Sequence, residues 1–141
     1  MSIDSYNKDF SHWHEVKTEI NNQPEKNKPF FYEREIWWVS IGQNVGFEKD
    51  GKNEKYTRPV LILRKFNKYT FLGIPLSTSE IDNKYRITLS YKKDVKSSAL
   101  ISQLRAYDSN RLGTKDGTIS DEDYKKIQKK ITEIINEEPR K

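Results

Sequence analysis

The chain contains no cysteine, which removes disulfides, thiolate nucleophiles and cysteine metal sites and agrees with a reducing compartment. It also lacks any run of about 18 apolar residues, and any leader of charged, apolar and small residues in turn. Neither a membrane span nor export is therefore expected, and the cytoplasm is the default location. Histidine is scarce: His12 and His14 stand two residues apart, a spacing that does not put side chains on one helical face. A two-histidine acid–base site is not expected, and without a third ligand neither is a histidine metal site. No metal or cofactor is predicted. Internal repeats and low-complexity tracts are absent, and 141 residues suit one domain with one small core, without room for a second catalytic module.

Positive charge is what the chain has in excess, and it is unevenly placed. Between Lys49 and Lys96 there are twelve Lys/Arg against five Asp/Glu, a local balance of +7 where the whole chain carries +5. The same segment holds Tyr56, Phe66, Tyr69, Phe71, Tyr85 and Tyr91. A basic stretch interleaved with rings suits an anionic strand whose bases stack, and equally suits a soluble lysine-rich surface.

Asp4 or Ser5 is placed to cap a helix whose Tyr6, Phe10, Trp13, Val16 and Ile20 recur at helical spacing and give it one apolar face. Asn21, Asn22 and Pro24 end it, and the polar stretch through Lys28 and Pro29 reads as a linker. Short strands are predicted near 35–41, 60–66, 69–76, 85–91 and 99–107. In the fourth, Tyr85, Ile87, Leu89 and Tyr91 alternate with Arg86, Thr88 and Ser90, as in a strand with one wet face. A last helix starts at Ser120, with Asp121, Glu122 and Asp123 favoured by the helix dipole. Its apolar stripe is Tyr124, Ile127, Ile131, Ile134 and Ile135, and its lysines are read as a solvated face. Short strands with helices at the ends suggest a small barrel.

Arg58 stands between a polar loop and the apolar run Val60 to Leu63. Pro59 biases it toward an extended conformation, so it should sit fixed at the mouth of a buried strand, a geometry suited to phosphate recognition. A bidentate guanidinium can grip two phosphate oxygens, although pairing with Glu48 or Glu54 would satisfy it too. Around it, REIWWVS, VGFE and TRPVLIL, followed by GIPLSTS at 73–79, SALISQLRAYDSNRLG at 98–113 and GTISDEDYKKIQKKI at 117–131, resemble in order the MazF/PemK toxins, endoribonucleases of bacterial toxin–antitoxin pairs. The resemblance spans roughly 34–135. It divides the chain into a helical extension and linker at 1–33 and a barrel domain at 34–141, and implies a mainly β, SH3-like small barrel with a C-terminal helix and an extra N-terminal helix.

The activity it implies is metal-independent, sequence-specific cleavage of single-stranded RNA, by attack of a 2′-hydroxyl to leave a cyclic phosphate and a 5′-hydroxyl. It also implies a homodimer and a cognate acidic antitoxin that occupies the RNA groove. Carried over residue by residue, Arg58 stabilises the phosphate. Ser77, where threonine is usual, and its neighbour Thr78 supply hydroxyls that donate to a phosphate oxygen or orient the attacking oxygen; a bare Ser-Thr-Ser is otherwise a turn. Glu48 acts as base or holds Arg58 in place. Lys49, Lys52, Lys55 and Tyr56, together with the Gln-x-Arg pair Gln103 and Arg105, are the candidate RNA contacts, the last two serving equally as a dimer contact or a polar strand face.

Two departures set this chain apart. The loop from Glu48 to Arg58 is longer than in compact members, and Phe47 and Ser102 stand where some relatives carry a histidine or an aspartate. Neither moves a proton at neutral pH. Two alternatives follow: a CcdB-like gyrase poison on the same fold, opposed by TRPVLIL and by the polar terminus Glu137–Lys141, and a non-catalytic RNA- or peptide-binding module.

Overall fold

The computed structural model describes residues 6–24, 28–79 and 81–140. Its elements are α1 (Phe10–Asn21), β1 (Glu35–Ser40), β2 (Thr57–Lys65), β3 (Thr70–Ser77), β4 (Arg86–Lys92), β5 (Val95–Leu100), β6 (Arg105–Asp108), β7 (Leu112–Thr118) and α2 (Asp121–Ile135). The strands form one curled antiparallel sheet in the order β4-β5-β3-β2-β1-β7, with β6 pairing the first half of β3. The architecture is mainly β with a helix at each end, as expected. Among the described residues no helix is long and apolar enough to cross a membrane.

The continuous apolar run of β2 has a simple cause: both faces of the sheet are covered. Leu61 and Leu63 join Ile36, Ile74, Leu76, Leu89 and Ile127 in one buried cluster, while the alternate residues Val60 and Ile62 join Phe31, Trp37, Val39, Phe71 and Tyr107 in another. The single small core expected from length is thus two clusters, divided by the period-2 alternation of β1 and β2. The predicted strand at 99–107 is likewise corrected. A 3₁₀ turn at Ile101–Gln103 splits it into β5 and β6, which pair successive parts of β3, and β7 lacks the apolar alternation that would have revealed it.

The edge strands β4 and β7 meet through side chains. Asp116 of β7 accepts from Tyr91 Oη at 2.7 Å and Lys92 Nζ at 2.8 Å, both of β4. Gly117 lets the Tyr91 ring lie close, since a Cβ there would come within 2.7 Å of it. α2 covers this end, Ser120 Oγ accepting from Asp123 N at 3.1 Å as the capping pattern predicts. Ile127 is buried and Tyr124, Ile131 and Ile134 pack on the core, but Ile135 is 76% exposed, one position past the useful face of the last turn.

α1 begins later than expected. Asp9 is its N-cap, accepting from His12 N at 3.0 Å, so Tyr6 precedes the helix; the expected caps Asp4 and Ser5 lie outside the described residues. Only Trp13 of the predicted stripe is buried, and Phe10 is 52% exposed. Trp13 docks over Gly42, whose φ of +88° favours glycine and where a Cβ would meet the indole at 2.3 Å.

Two expectations test this architecture. Gly42→Ala should lower stability by about 1–3 kcal/mol, read from thermal melting, through backbone strain and displacement of Trp13. Burial works to raise the Asp116 carboxyl, but Lys92 and Tyr91 outweigh it and hold it below the ordinary range. A depressed folded pKa adds stability above the unfolded value of about 3.9 that is lost as pH falls through the folded one. The melting temperature should therefore fall below about pH 4, and Asp116→Asn should flatten that limb.

Candidate functional site

Arg58 sits at the mouth of its strand, one residue inside its first position. β2 starts at Thr57, Arg58 pairs with Val39 of β1, and its side chain is only 9% exposed. Its Nε donates to the backbone oxygen of Asp50 at 2.8 Å and its Nη1 to that of Leu76 at 3.1 Å. Of the five N–H groups of a guanidinium, two are fixed by the backbone, leaving three for a ligand. Burial pushes the group below its ordinary arginine range while Asp50 pulls it back up, and it remains a cation.

No hydrogen bond or ion pair joins Glu48 or Glu54 to Arg58, so the expectation that Glu48 holds the arginine is corrected. Glu48 closes its own turn, Oε1 accepting from Val45 N at 2.9 Å. Asp50, which the sequence reading passed over, takes the holding role through its main chain. Its side chain accepts from Asn44 N at 2.6 Å, Tyr6 Oη at 2.6 Å and Lys8 Nζ at 3.1 Å.

Ser77 ends β3. The pairing of Val60 with Pro75, continued two residues, sets Ser77 opposite Arg58, and both line a cleft of about 250 Å³ with Thr78, Lys52 and Ser97. The Ser77 hydroxyl donates to Ser79 Oγ at 3.1 Å and accepts from Ser79 N at 3.2 Å, the local turn that such a sequence also forms. Arg86 Nη1 donates to Ser79 Oγ at 2.8 Å, adding another cation beside the turn.

A second cleft of about 520 Å³ shares Arg58 and Lys52 with the first and adds Glu48, Lys49, Asp50 and Tyr6. A third, of about 720 Å³, shares Glu48 and Lys49 and reaches Gln103 and Arg105. The fold therefore gathers Arg58, Ser77, Thr78, Glu48, Lys49, Lys52, Gln103 and Arg105 along one continuous concave surface. Burial lowers the Lys49 pKa, and the nearby charges of Arg58, Arg86 and Lys52 lower it further. Gln103 braces the loop, accepting from Lys49 N at 3.1 Å and donating to Phe47 O at 3.3 Å. The Arg105 guanidinium lies 4.8 Å from the centroid of Tyr107, and burial pushes that phenol up to about 12.

One candidate falls outside this arrangement, and another, Tyr56, lines the second cleft but is packed into its wall. Lys55 is exposed and lines none of these clefts. Tyr56 is 7% exposed, its ring engaged by His12 and Trp13 and its hydroxyl sharing a hydrogen bond of 2.8 Å with His12 Nδ1, so the stacking on RNA bases expected of it is corrected. Its φ of +54° is strained for a large side chain, at about 1–3 kcal/mol. His14, exposed on α1, lines a separate cleft with Trp13 and Arg111. Among the described residues no three His, Cys, Asp or Glu side chains gather as a metal site would require.

The sequence model of a family described as PemK-like, MazF-like toxin of type II toxin-antitoxin system matches residues 32–135. Solved structures with the same fold include MazF from Deinococcus radiodurans, 14% identical over 77% of this chain and all of its own, with a TM-score of 0.60. The Mycobacterium tuberculosis toxin MazF-mt6 is 13% identical over 75% of this chain and all of its own, with a TM-score of 0.58. An endoribonuclease in complex with its cognate antitoxin, from a mycobacterial species, is 11% identical over 78% of this chain and all of its own, with a TM-score of 0.57. No curated protein sequence matches the chain.

The brace at Gln103 is open to direct test. Gln103→Ala should lower stability by about 1 kcal/mol and raise hydrogen exchange at the Lys49 amide severalfold, with β2 amides unchanged.

Proposed function

We propose, for a chain that belongs to the PemK-like, MazF-like toxins of type II toxin–antitoxin systems, the activity of a metal-independent endoribonuclease that cuts single-stranded RNA at a short sequence. The observation that carries this reading is Arg58, buried and fixed by two carbonyls, yet lining clefts with three N–H groups to spare. A permanently charged, pre-oriented guanidinium of this kind stabilises the charge that builds on a pentacoordinate phosphate.

In the reaction the 2′-oxygen attacks phosphorus, the bond to the 5′-oxygen breaks, and a 2′,3′-cyclic phosphate and a 5′-hydroxyl result. The 2′-hydroxyl must lose a proton and the leaving oxygen must gain one. Ser77 and Thr78, across from Arg58, orient the attacking oxygen. Glu48 is the carboxylate available as base in the neighbouring cleft. Lys49, its pKa lowered by burial and by three cations, is suited to protonate the leaving oxygen. Lys52, Gln103 and Arg105 line the path of the flanking nucleotides.

The surplus of positive charge between Lys49 and Lys96 also suits an acidic antitoxin segment competing for the same surface. We infer a homodimer acting in the cytoplasm, with residues 34–141 as the toxin unit and 1–33 as an addition to it. RNA binding without cleavage is the second reading, favoured by the engagement of the Ser77 hydroxyl with Ser79.

Purified protein incubated with a long mixed-sequence RNA in EDTA should produce discrete new 5′ ends bearing hydroxyls. Arg58→Ala should reduce their formation by about a hundredfold or more. Equal cleavage by the variant would overturn the reading, and RNA that stays intact while binding with a strong salt dependence would favour the second one.

A further inference from the structure

The segment before α1 reaches across to the loop that carries the site. Lys8 Nζ donates to the backbone oxygens of Asn44 and, at 3.0 Å, Gly46, and pairs with the Asp50 carboxylate. Tyr6 Oη donates to Asp50 Oδ2 at 2.6 Å, and Asp9 N to Gln43 Oε1 at 3.1 Å. One turn further, His12 and Trp13 hold Tyr56 in its positive-φ conformation. These contacts span the loop from Gln43 to Tyr56, separated by some forty residues in sequence from the groups that make them.

The loop has little apolar anchoring of its own. Val45 is 75% and Phe47 100% exposed, and Lys52 to Lys55 are exposed throughout. Loops with few buried contacts open at low cost unless something ties them down. What ties this one matters to Arg58, because the Asp50 oxygen that fixes Nε belongs to the loop, whereas the Leu76 oxygen belongs to the rigid sheet.

We propose that Tyr6 and Lys8 are positioning residues of the site: gripping the Asp50 carboxylate and the Asn44 and Gly46 carbonyls, they hold the loop where the Asp50 main chain orients Arg58. Tyr6 and Lys8, though they belong to the added residues 1–33, are on this view working parts of the site. Without that grip the loop keeps its brace at Gln103 and its main-chain neck, but the stretch around Asp50 loosens, the bond from Arg58 Nε opens more often, and the guanidinium is less closely oriented. The consequence for catalysis rests on the reading of Arg58 as the phosphate-binding residue. The grip itself does not.

The test joins a spectroscopic readout to a kinetic one. In ¹⁵N-labelled full-length protein, the Arg58 Nε–H resonance, assigned by its loss in Arg58→Lys, reports the bond to Asp50 directly. In the double variant Tyr6→Phe, Lys8→Ala, solvent exchange of that proton and of the Asn44 and Gly51 amides should rise by about tenfold or more, while Val60 to Ile62 stay protected. On RNA, kcat should fall by about tenfold with KM within a factor of about two, since the bound state is misoriented rather than lost. Lys8→Arg should behave as wild type.

Unchanged exchange at Arg58 overturns the proposal. So does a uniform rise that includes β2, which would mark general destabilisation, and so does faster loop exchange with undiminished kcat. Should wild type cut no RNA, the ribonuclease reading fails on its own, and the Arg58 resonance still decides whether the segment holds the arginine.

Discussion

A guanidinium buried inside a sheet must have its donors satisfied or directed, because an unpaired buried charge costs several kcal/mol or more. At Arg58 the sheet provides one partner, the Leu76 carbonyl across the strand pair, and the loop between β1 and β2 provides the other, the Asp50 carbonyl. Much of the surrounding structure follows from that second bond. The loop must return close to the strand it leaves, so Ile41 and Gly42 donate to Tyr56 O and Gly51 donates to Gly42 O. The return is so tight that a Cβ at Gly51 would overlap the Tyr56 carbonyl at 1.7 Å. Tyr56 accepts a strained backbone there, and α1 and Gln103 brace the loop at separate points, at Tyr56 and at Phe47 and Lys49.

The curled sheet allows this by being rigid where the loop is not. Its two buried clusters lie on opposite faces of the same strands, so β2 and β3 are packed on both sides. Arg58 and Ser77 stand at adjacent ends of those strands. Arg58 is thus held half by paired strands and half by a tethered loop, so one of its two partners sits on an element that can move. Such an arrangement suits a protein whose family is defined by partnership with an antitoxin.

How much of this was legible in the residues differs from element to element. Ser120 followed by three acids announces α2, and the alternation through Leu89 announces β4, because caps and periodicity act within a few residues. β7, reading Leu-Gly-Thr-Lys-Asp-Gly-Thr, carries no such pattern and exists because β1 pairs with it and Asp116 meets Tyr91 and Lys92. The start of α1 was misplaced because several capping residues precede it, and only docking of Trp13 on Gly42 selects Asp9. Among the candidates, Arg58, Ser77 and Glu48 were picked out by ordered resemblance, whereas Asp50 was hidden among charged loop residues with nothing local to distinguish it from Glu48.

The sequence by itself determined the buried strand at 60–63, the cap of the last helix, the basic middle of the chain and the family to which its ordered motifs point. Each of these is written in neighbouring residues or in their order, and local sterics and hydrophobic periodicity suffice to read it. Only the tertiary structure decided that Asp50 rather than Glu48 meets Arg58, that Tyr56 packs against α1, and that Tyr6 and Lys8 lie against the loop before β2. The last two depend on contacts between groups some forty residues apart in the chain, the first depends on the path of the loop between β1 and β2, and no local pattern encodes which competitor for a hydrogen bond wins.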